Sequence, residues 1–182
     1  VTVDLSTGLA ENGYGGTDTL IDVSDVIGSA LGGTLIAGTG AETFTIGAGG
    51  GDTVVGNATG PTAISFADAT AAVTVNLSTG TATSAAFSPA DTLSQIAAVI
   101  GSGFDDTLIG DGNNVLIGNG TLIDGGGSNT LEGLGGVATA DYAAALGSVT
   151  VDLSTGLAKN GYGGTDTLIG VSDVIGSSSG ST

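Results

Sequence analysis

Eighteen carboxylates and one base, Lys159, limit the chemistry this chain can do. With no His and no Cys, it lacks the usual general base, a thiol nucleophile and the ordinary ligands of zinc and copper. Serines are plentiful, but a serine nucleophile needs a base to activate it, and neither a His nor a nearby Lys supplies one. Asp105 and Asp106 are adjacent. In a strand they would face opposite sides, which is wrong for the facing carboxylates of glycoside hydrolysis. The sequence therefore predicts no enzyme. Its remaining polar groups are Asp and Asn side chains set among glycines, and such side chains readily bond the backbone of their own turn.

Charge narrows the partners. The formal net charge is −17. One base cannot neutralise a phosphate backbone, so no nucleic-acid binding is expected. An anionic bilayer would repel the chain, and no apolar run approaches the ~20 residues of a membrane span, so no membrane insertion is expected.

High charge with few aromatics also suits disorder. Against that, 40% of residues are hydrophobic and the mean hydropathy is +0.43. The apolar residues fall in short runs of strand formers. Examples are Thr19-Leu20-Ile21, Thr34-Leu35-Ile36, Thr43-Phe44-Thr45, Thr53-Val54-Val55, Thr107-Leu108-Ile109, Val115-Leu116-Ile117 and Thr130-Leu131-Glu132. Glycine separates the runs and makes up 36 of 182 residues, against an average of roughly 7%. Short apolar runs bounded by glycine read as short buried strands.

Repeats organise these strands. Residues 1–29 and 149–177 differ at two positions only, where Glu11 becomes Lys159 and Asp22 becomes Gly170. A weaker copy lies between them: VTVNLSTG at 73–80 matches VTVDLSTG, and DTLSQIAAVIGS at 91–102 matches DTLIDVSDVIGS. The chain reads as one continuous solenoid over 1–182, in units 1–72, 73–148 and 149–182, with a long repeat of 148 residues. A three-residue strand has too little surface to be stable alone, but stacked at about 4.8 Å on the preceding winding it completes a parallel ladder. The predicted fold is all-β, a right-handed parallel β-helix or β-roll. The central Leu, Val, Ile or Phe of each triplet points inward and its Thr neighbours point outward. Phe44, Phe66, Phe87 and Phe104 are expected in the core, and Pro61 and Pro89 in loops. Tyr14, Tyr142 and Tyr162 are expected to cover apolar edges.

The turns carry a resemblance. Residues 13–21, GYGGTDTLI, their copy at 161–169, and GAGGGDTVV at 47–55 follow the pattern G-G-x-G-x-D-x-U-x, and IGSGFDDTLIGDGNNVL at 100–116 is similar. These segments resemble the RTX (repeats-in-toxin) family, whose nonapeptides build a β-roll. The resemblance implies calcium as a possible cofactor. Its ligands would be the carbonyls at the first and third places and the Asp carboxylate at the sixth. Residue by residue these are Gly13, Gly15 and Asp18; Gly47, Gly49 and Asp52; Gly101, Gly103 and Asp106; and Gly161, Gly163 and Asp166. Calcium takes six to eight hard oxygens, which such turns can offer. The chain departs from the family where the sixth place holds Gly33, Glu42, Asn114 or Asn129. The alternative to calcium is that the Asp and Asn side chains of these turns bond their own turn's backbone as Asx-turns, with an Asn ladder holding the roll without metal.

Two functions are compatible with this reading. One is a structural module of a secreted bacterial surface fibre, filament or adhesin, working by extension and cohesion. The other is a calcium-dependent folding and secretion module of an exported enzyme or toxin. Both place the chain outside the cell. The matching cassettes at 1–29 and 149–177 suggest either a window of a longer array or self-association of copies end to end.

Overall fold

The computed structural model describes residues 1–46 and 49–182. All its regular structure is β, and among the described residues no helix occurs, so none is long and apolar enough to cross a membrane. The first unit contributes β1 (Thr2–Asp4), β2 (Leu9–Glu11), β3 (Thr17–Thr19), β4 (Asp25–Ile27), β5 (Thr34–Ile36), β6 (Glu42–Thr45), β7 (Thr53–Val55) and β8 (Thr62–Ser65). The second adds β9 (Val73–Asn76), β10 (Thr81–Ser84), β11 (Phe87–Ser94), β12 (Ala98–Ile109), β13 (Val115–Ile123), β14 (Thr130–Glu132) and β15 (Ala138–Asp141). The last holds β16 (Thr150–Asp152), β17 (Leu157–Lys159), β18 (Thr165–Ile169) and β19 (Asp173–Ile175). These strands form one mixed sheet that does not close on itself.

Most of the sheet is parallel and skips alternate strands. β1, β5, β7 and β11 lie side by side with Thr2, Thr34, Thr53 and Thr92 in register. A second ladder runs β4, β6, β8, β12, β13, β14, β18 and aligns Val26, Phe44, Ile64, Val99, Leu116, Leu131 and Leu168. A third runs β9, β12, β13, β15, β19 and aligns Val75, Leu108, Leu122, Ala140 and Val174. The long strands β12 and β13 pass through both the second and third ladders. The aligned centres belong to one apolar core, with Val26 and Val174 packed at its margin. Each fully buried Leu, Val, Ile or Phe side chain contributes about 1.5–3 kcal/mol, which isolated triplets could not collect. The alternation expected from the sequence holds: in β5, β7 and β14 the centre is buried while both flanks stay half-buried.

The VTVDLSTG cassette departs from a parallel winding. It folds as an antiparallel meander, β1–β2–β3, and again as β9–β10–β11 and β16–β17–β18. The residues Asp-Leu-Ser-Thr-Gly form the hairpin. Asp4 Oδ1 accepts the backbone N–H of Ser6 at 2.9 Å and of Thr7 at 3.2 Å, and Gly8 follows with φ of 68°. Asp152 and Gly156 repeat this arrangement. Asn76 and Gly80 vary it, with Asn76 Oδ1 accepting the Thr79 N–H. The positive φ is what calls for glycine here.

Three smaller expectations are corrected. Phe104 is 48% exposed, so it is not a core residue, whereas Phe44, Phe66 and Phe87 are. Pro89 lies inside β11, near the register shift between Ala82 and Ser84, a place where a strand tolerates proline. Tyr14 is 99% exposed and covers nothing, while Tyr142 is fully buried. The Ser/Gly stretch at 177–182 is tied to the last cassette. Thr182 donates its N–H to the Val149 carbonyl at 3.0 Å, as Thr34 does to Val1 at 2.9 Å.

Candidate functional site

The residue just before each strand triplet forms the polar half of the molecule. Asp52, Asp91, Asp106, Asn114, Asn129 and Asp166 occupy this place, and all are buried. Four of them, Asp91, Asp106, Asn129 and Asp166, accept a backbone N–H from a neighbouring strand, whereas Asn114 Oδ1 accepts from its own turn, at Asp111 and Gly112. Asp91 Oδ1 takes the Asp52 N–H at 2.9 Å, and Asp106 Oδ1 takes that of Val73 at 2.9 Å. Along the second ladder the bonds chain together. Asn129 Oδ1 accepts from the Asn114 N–H at 2.9 Å, and Asp166 Oδ1 accepts from the Asn129 N–H at 2.8 Å. A backbone donor at a turn, where the ladder cannot serve it, is thus satisfied by a side chain beside the neighbouring strand.

Several of these carboxylates have oxygens left over. Both oxygens of Asp52 and the Oδ2 atoms of Asp91, Asp124 and Asp166 are buried with no hydrogen-bond partner, as are Tyr142 Oη and Glu42 Oε2. Burial, then the charge of Asp91, pushes the Asp52 carboxyl up to about 6. Burial, then the charge of Asp166, does the same to Asp124, also to about 6. Burial also raises Asp91 and Asp166, and it raises the Tyr142 hydroxyl with help from the neighbouring Asp166 and Asp124. Two sites therefore hold carboxylate pairs short of donors, Asp52 with Asp91 and Asp124 with Asp166. The second is lined by amides: Asn160 Nδ2 donates to Asp166 Oδ1 at 3.0 Å, and Asn129 Nδ2 donates to the Gly126 carbonyl at 2.8 Å. Such pairs can share a proton or take up a cation.

The residues singled out from the sequence fare differently. Asp166 and Asp52 carry orphaned oxygens. Asp106 is used by the protein itself: besides Val73, its Oδ2 accepts the Ser102 N–H at 2.7 Å, and a Cβ on Gly101 would collide with its carboxylate. Asp18 is exposed on β3, at the sheet's edge. Gly13, Gly15, Gly161 and Gly163 all have positive φ in the turns that precede Asp18 and Asp166. Gly49 packs so close to Ala30 that a Cβ would strike its carbonyl, while Gly103 has open space around it. Gly47 lies outside the described residues.

Sequence reasoning missed Asp91 and Asp124. Asp91 is the middle cassette's counterpart of Asp18 and Asp166, so the cassette alignment held the signal. Asp124 opens the turn DGGGSN, where nothing local marks it as buried. The described residues contain no cluster of three or more acids arranged around a metal. Each pair offers two carboxylates, fewer than the six to eight oxygens that calcium takes.

No protein-family model matches the chain, and no curated protein matches it.

Proposed function

We propose that this chain is a structural repeat module of a secreted bacterial surface fibre, filament or adhesin, wound as a right-handed parallel β-helix or β-roll of RTX-like repeats. The supporting observation is how each internal cassette joins what precedes it. Thr92 donates its N–H to the Asp52 carbonyl at 2.8 Å, and the equivalent Thr167 donates to that of Asn129 at 2.9 Å. The meander interrupts the winding without breaking the ladder, so copies can be added indefinitely and each touches only its neighbours. Extension by repetition needs no reacting group. Small-angle scattering tests the reading: an elongated particle of constant cross-section is expected, and a compact globule would refute it.

A second reading is a calcium-dependent folding module. The orphaned oxygens of the Asp52–Asp91 and Asp124–Asp166 pairs favour it, because a divalent cation would satisfy them. The carboxylates of each pair would be ligands to the ion, with further oxygens needed to complete its shell. Circular dichroism with and without a chelator separates the two readings. Persistent β signal supports the self-sufficient fibre coil, and collapse supports the calcium-dependent module.

A further inference from the structure

We propose that Asn57 is an acceptor for an N-linked sugar, a modification that suits the exported module proposed above and whose test, by mass, does not depend on that module's shape. Three segments of the chain carry the Asn-x-Ser/Thr pattern that such transfer requires: Asn57-Ala58-Thr59, Asn76-Leu77-Ser78 and Asn119-Gly120-Thr121. The fold treats the three differently.

Asn57 opens the turn between β7 and β8, well inside the winding. The ends of this turn are fixed. Gly56 donates its N–H to the Ser94 carbonyl at 2.8 Å, and the Asn57 N–H donates to Oγ1 of the buried Thr62 at 3.1 Å. Gly60 lies so close to the Gly40 carbonyl that a Cβ would strike it. Between these anchors Ala58 and Thr59 are exposed. Thr59 donates its backbone N–H, at 2.7 Å, and its hydroxyl, at 2.6 Å, to Asn57 Oδ1. The third residue of the pattern thus holds the amide oxygen of the first. Asn57 Nδ2 donates to no group among the described residues and is not one of the buried orphans, so it meets solvent. The turn borders an open depression of about 500 Å³, shared with Gln95, Ala97 and Asn113.

This geometry suits the chemistry. A hydroxyl bonded to Oδ1 draws electron density toward the oxygen and eases the loss of an Nδ2 proton. In the transfer, Nδ2 attacks the anomeric carbon of a sugar carried as a glycosyl diphosphate. The N–C bond forms and the C–O bond to the diphosphate breaks. The diphosphate leaves with that electron pair, and one Nδ2 proton passes to a base of the transferring enzyme. The other two segments are spent on the fold. Ser78 turns its hydroxyl away from Asn76 and donates it to the Gly110 carbonyl at 3.1 Å, while Asn76 Oδ1 serves the Thr79 N–H and Leu77 is buried. Asn119 lies within β13, opposite Asp105, and its Oδ1 accepts the Gly136 N–H at 3.0 Å. Gly120 donates its N–H to the Val137 carbonyl at 2.8 Å, and Thr121 stands in the ladder between Thr107 and Thr139. Neither segment brings its hydroxyl onto its own amide without giving up a bond it now makes.

The test incubates the folded full chain with a soluble N-glycosyltransferase and UDP-glucose and, in a second arm, with an oligosaccharyltransferase and a lipid-pyrophosphate oligosaccharide. Products are read by intact mass and by peptide mass spectrometry. Short peptides spanning residues 55–61, 74–80 and 117–123 run alongside and should all accept sugar, since nothing folds them. The folded chain should gain one glycan, on Asn57, and the arm in which it does so identifies the donor. Asn57→Gln or Thr59→Ala should abolish the gain, and Thr59→Ser should keep it. Asn76→Gln with Asn119→Gln should leave it unchanged. A folded chain left unmodified by both enzymes overturns the proposal. Sugar on Asn76 or Asn119 of the folded chain also overturns it, because the fold then selects nothing. A compact particle in scattering would refute the structural-module reading and leave the mass result standing.

Discussion

At the scale of single residues, buried carboxylates divide by whether the protein completes their hydrogen bonding. Asp106 is completed by Val73 and Ser102. Removing it with Asp106→Ala strands two buried N–H donors, and urea unfolding should show a loss of about 3 kcal/mol. Asp52 and Asp124 are not completed, and their carboxyls lie near 6 in the folded state against 3.8 when unperturbed. Raised values mean that the folded chain holds protons the unfolded chain has released. Their stabilising contribution is therefore full below about pH 4 and is lost as pH rises through 6, at about 1.4 kcal/mol per pH unit per group. In cation-free buffer the melting temperature should fall between pH 4 and 7, and Asp52→Asn with Asp124→Asn should flatten that fall. A melting temperature that instead climbs steadily across this window would show that other carboxylates dominate.

At the scale of the strand, the triplet centre carries the stability and the edge does not. Leu116 is fully buried between Val99 and Leu131, so Leu116→Ala should cost about 2–5 kcal/mol. Ile21→Ala, at an exposed edge, should stay within about 0.5 kcal/mol. In the hairpin, Gly156→Ala meets both a positive φ and the Leu168 carbonyl, and thermal melts should show a loss of about 1–3 kcal/mol. The inward centres of the triplets were legible in the sequence because Thr-Leu-Ile and Thr-Val-Val state their alternation locally. So was the cassette, because 27 of its 29 residues recur. Its antiparallel course was hidden. Asp4 and Gly8 are turn formers anywhere, and only the pairing of β1 with β2 reveals a hairpin. The orphaned acids were legible in part. Asp52 and Asp166 sit in recognisable turns, but their partners Asp91 and Asp124 lie 39 and 42 residues away, beyond any local pattern. Phe104 was misread because the bend between the two halves of β12 turns it outward, a feature set by the register shift after Ile100 and not by the residue's own hydrophobicity.

At the scale of the whole molecule, seventeen uncompensated charges repel one another along a chain with a single cation. Two forms of relief differ in kind. Monovalent salt screens exposed charges at distances beyond about 10 Å at 0.1 M and acts on all of them alike. A divalent ion that binds the folded state at a defined place stabilises it by mass action, with saturation set by its affinity. Sodium chloride should therefore raise the melting temperature gradually, and equally in wild type and in Asp52→Asn with Asp124→Asn. Calcium at constant ionic strength should add a saturable rise in the wild type, which the double variant loses because each pair then keeps one carboxylate. Scanning calorimetry over both titrations decides the matter. Equal responses to calcium in the two proteins would mean that the orphaned pairs hold protons and not ions, leaving general screening to reconcile so acidic a surface with so narrow a core.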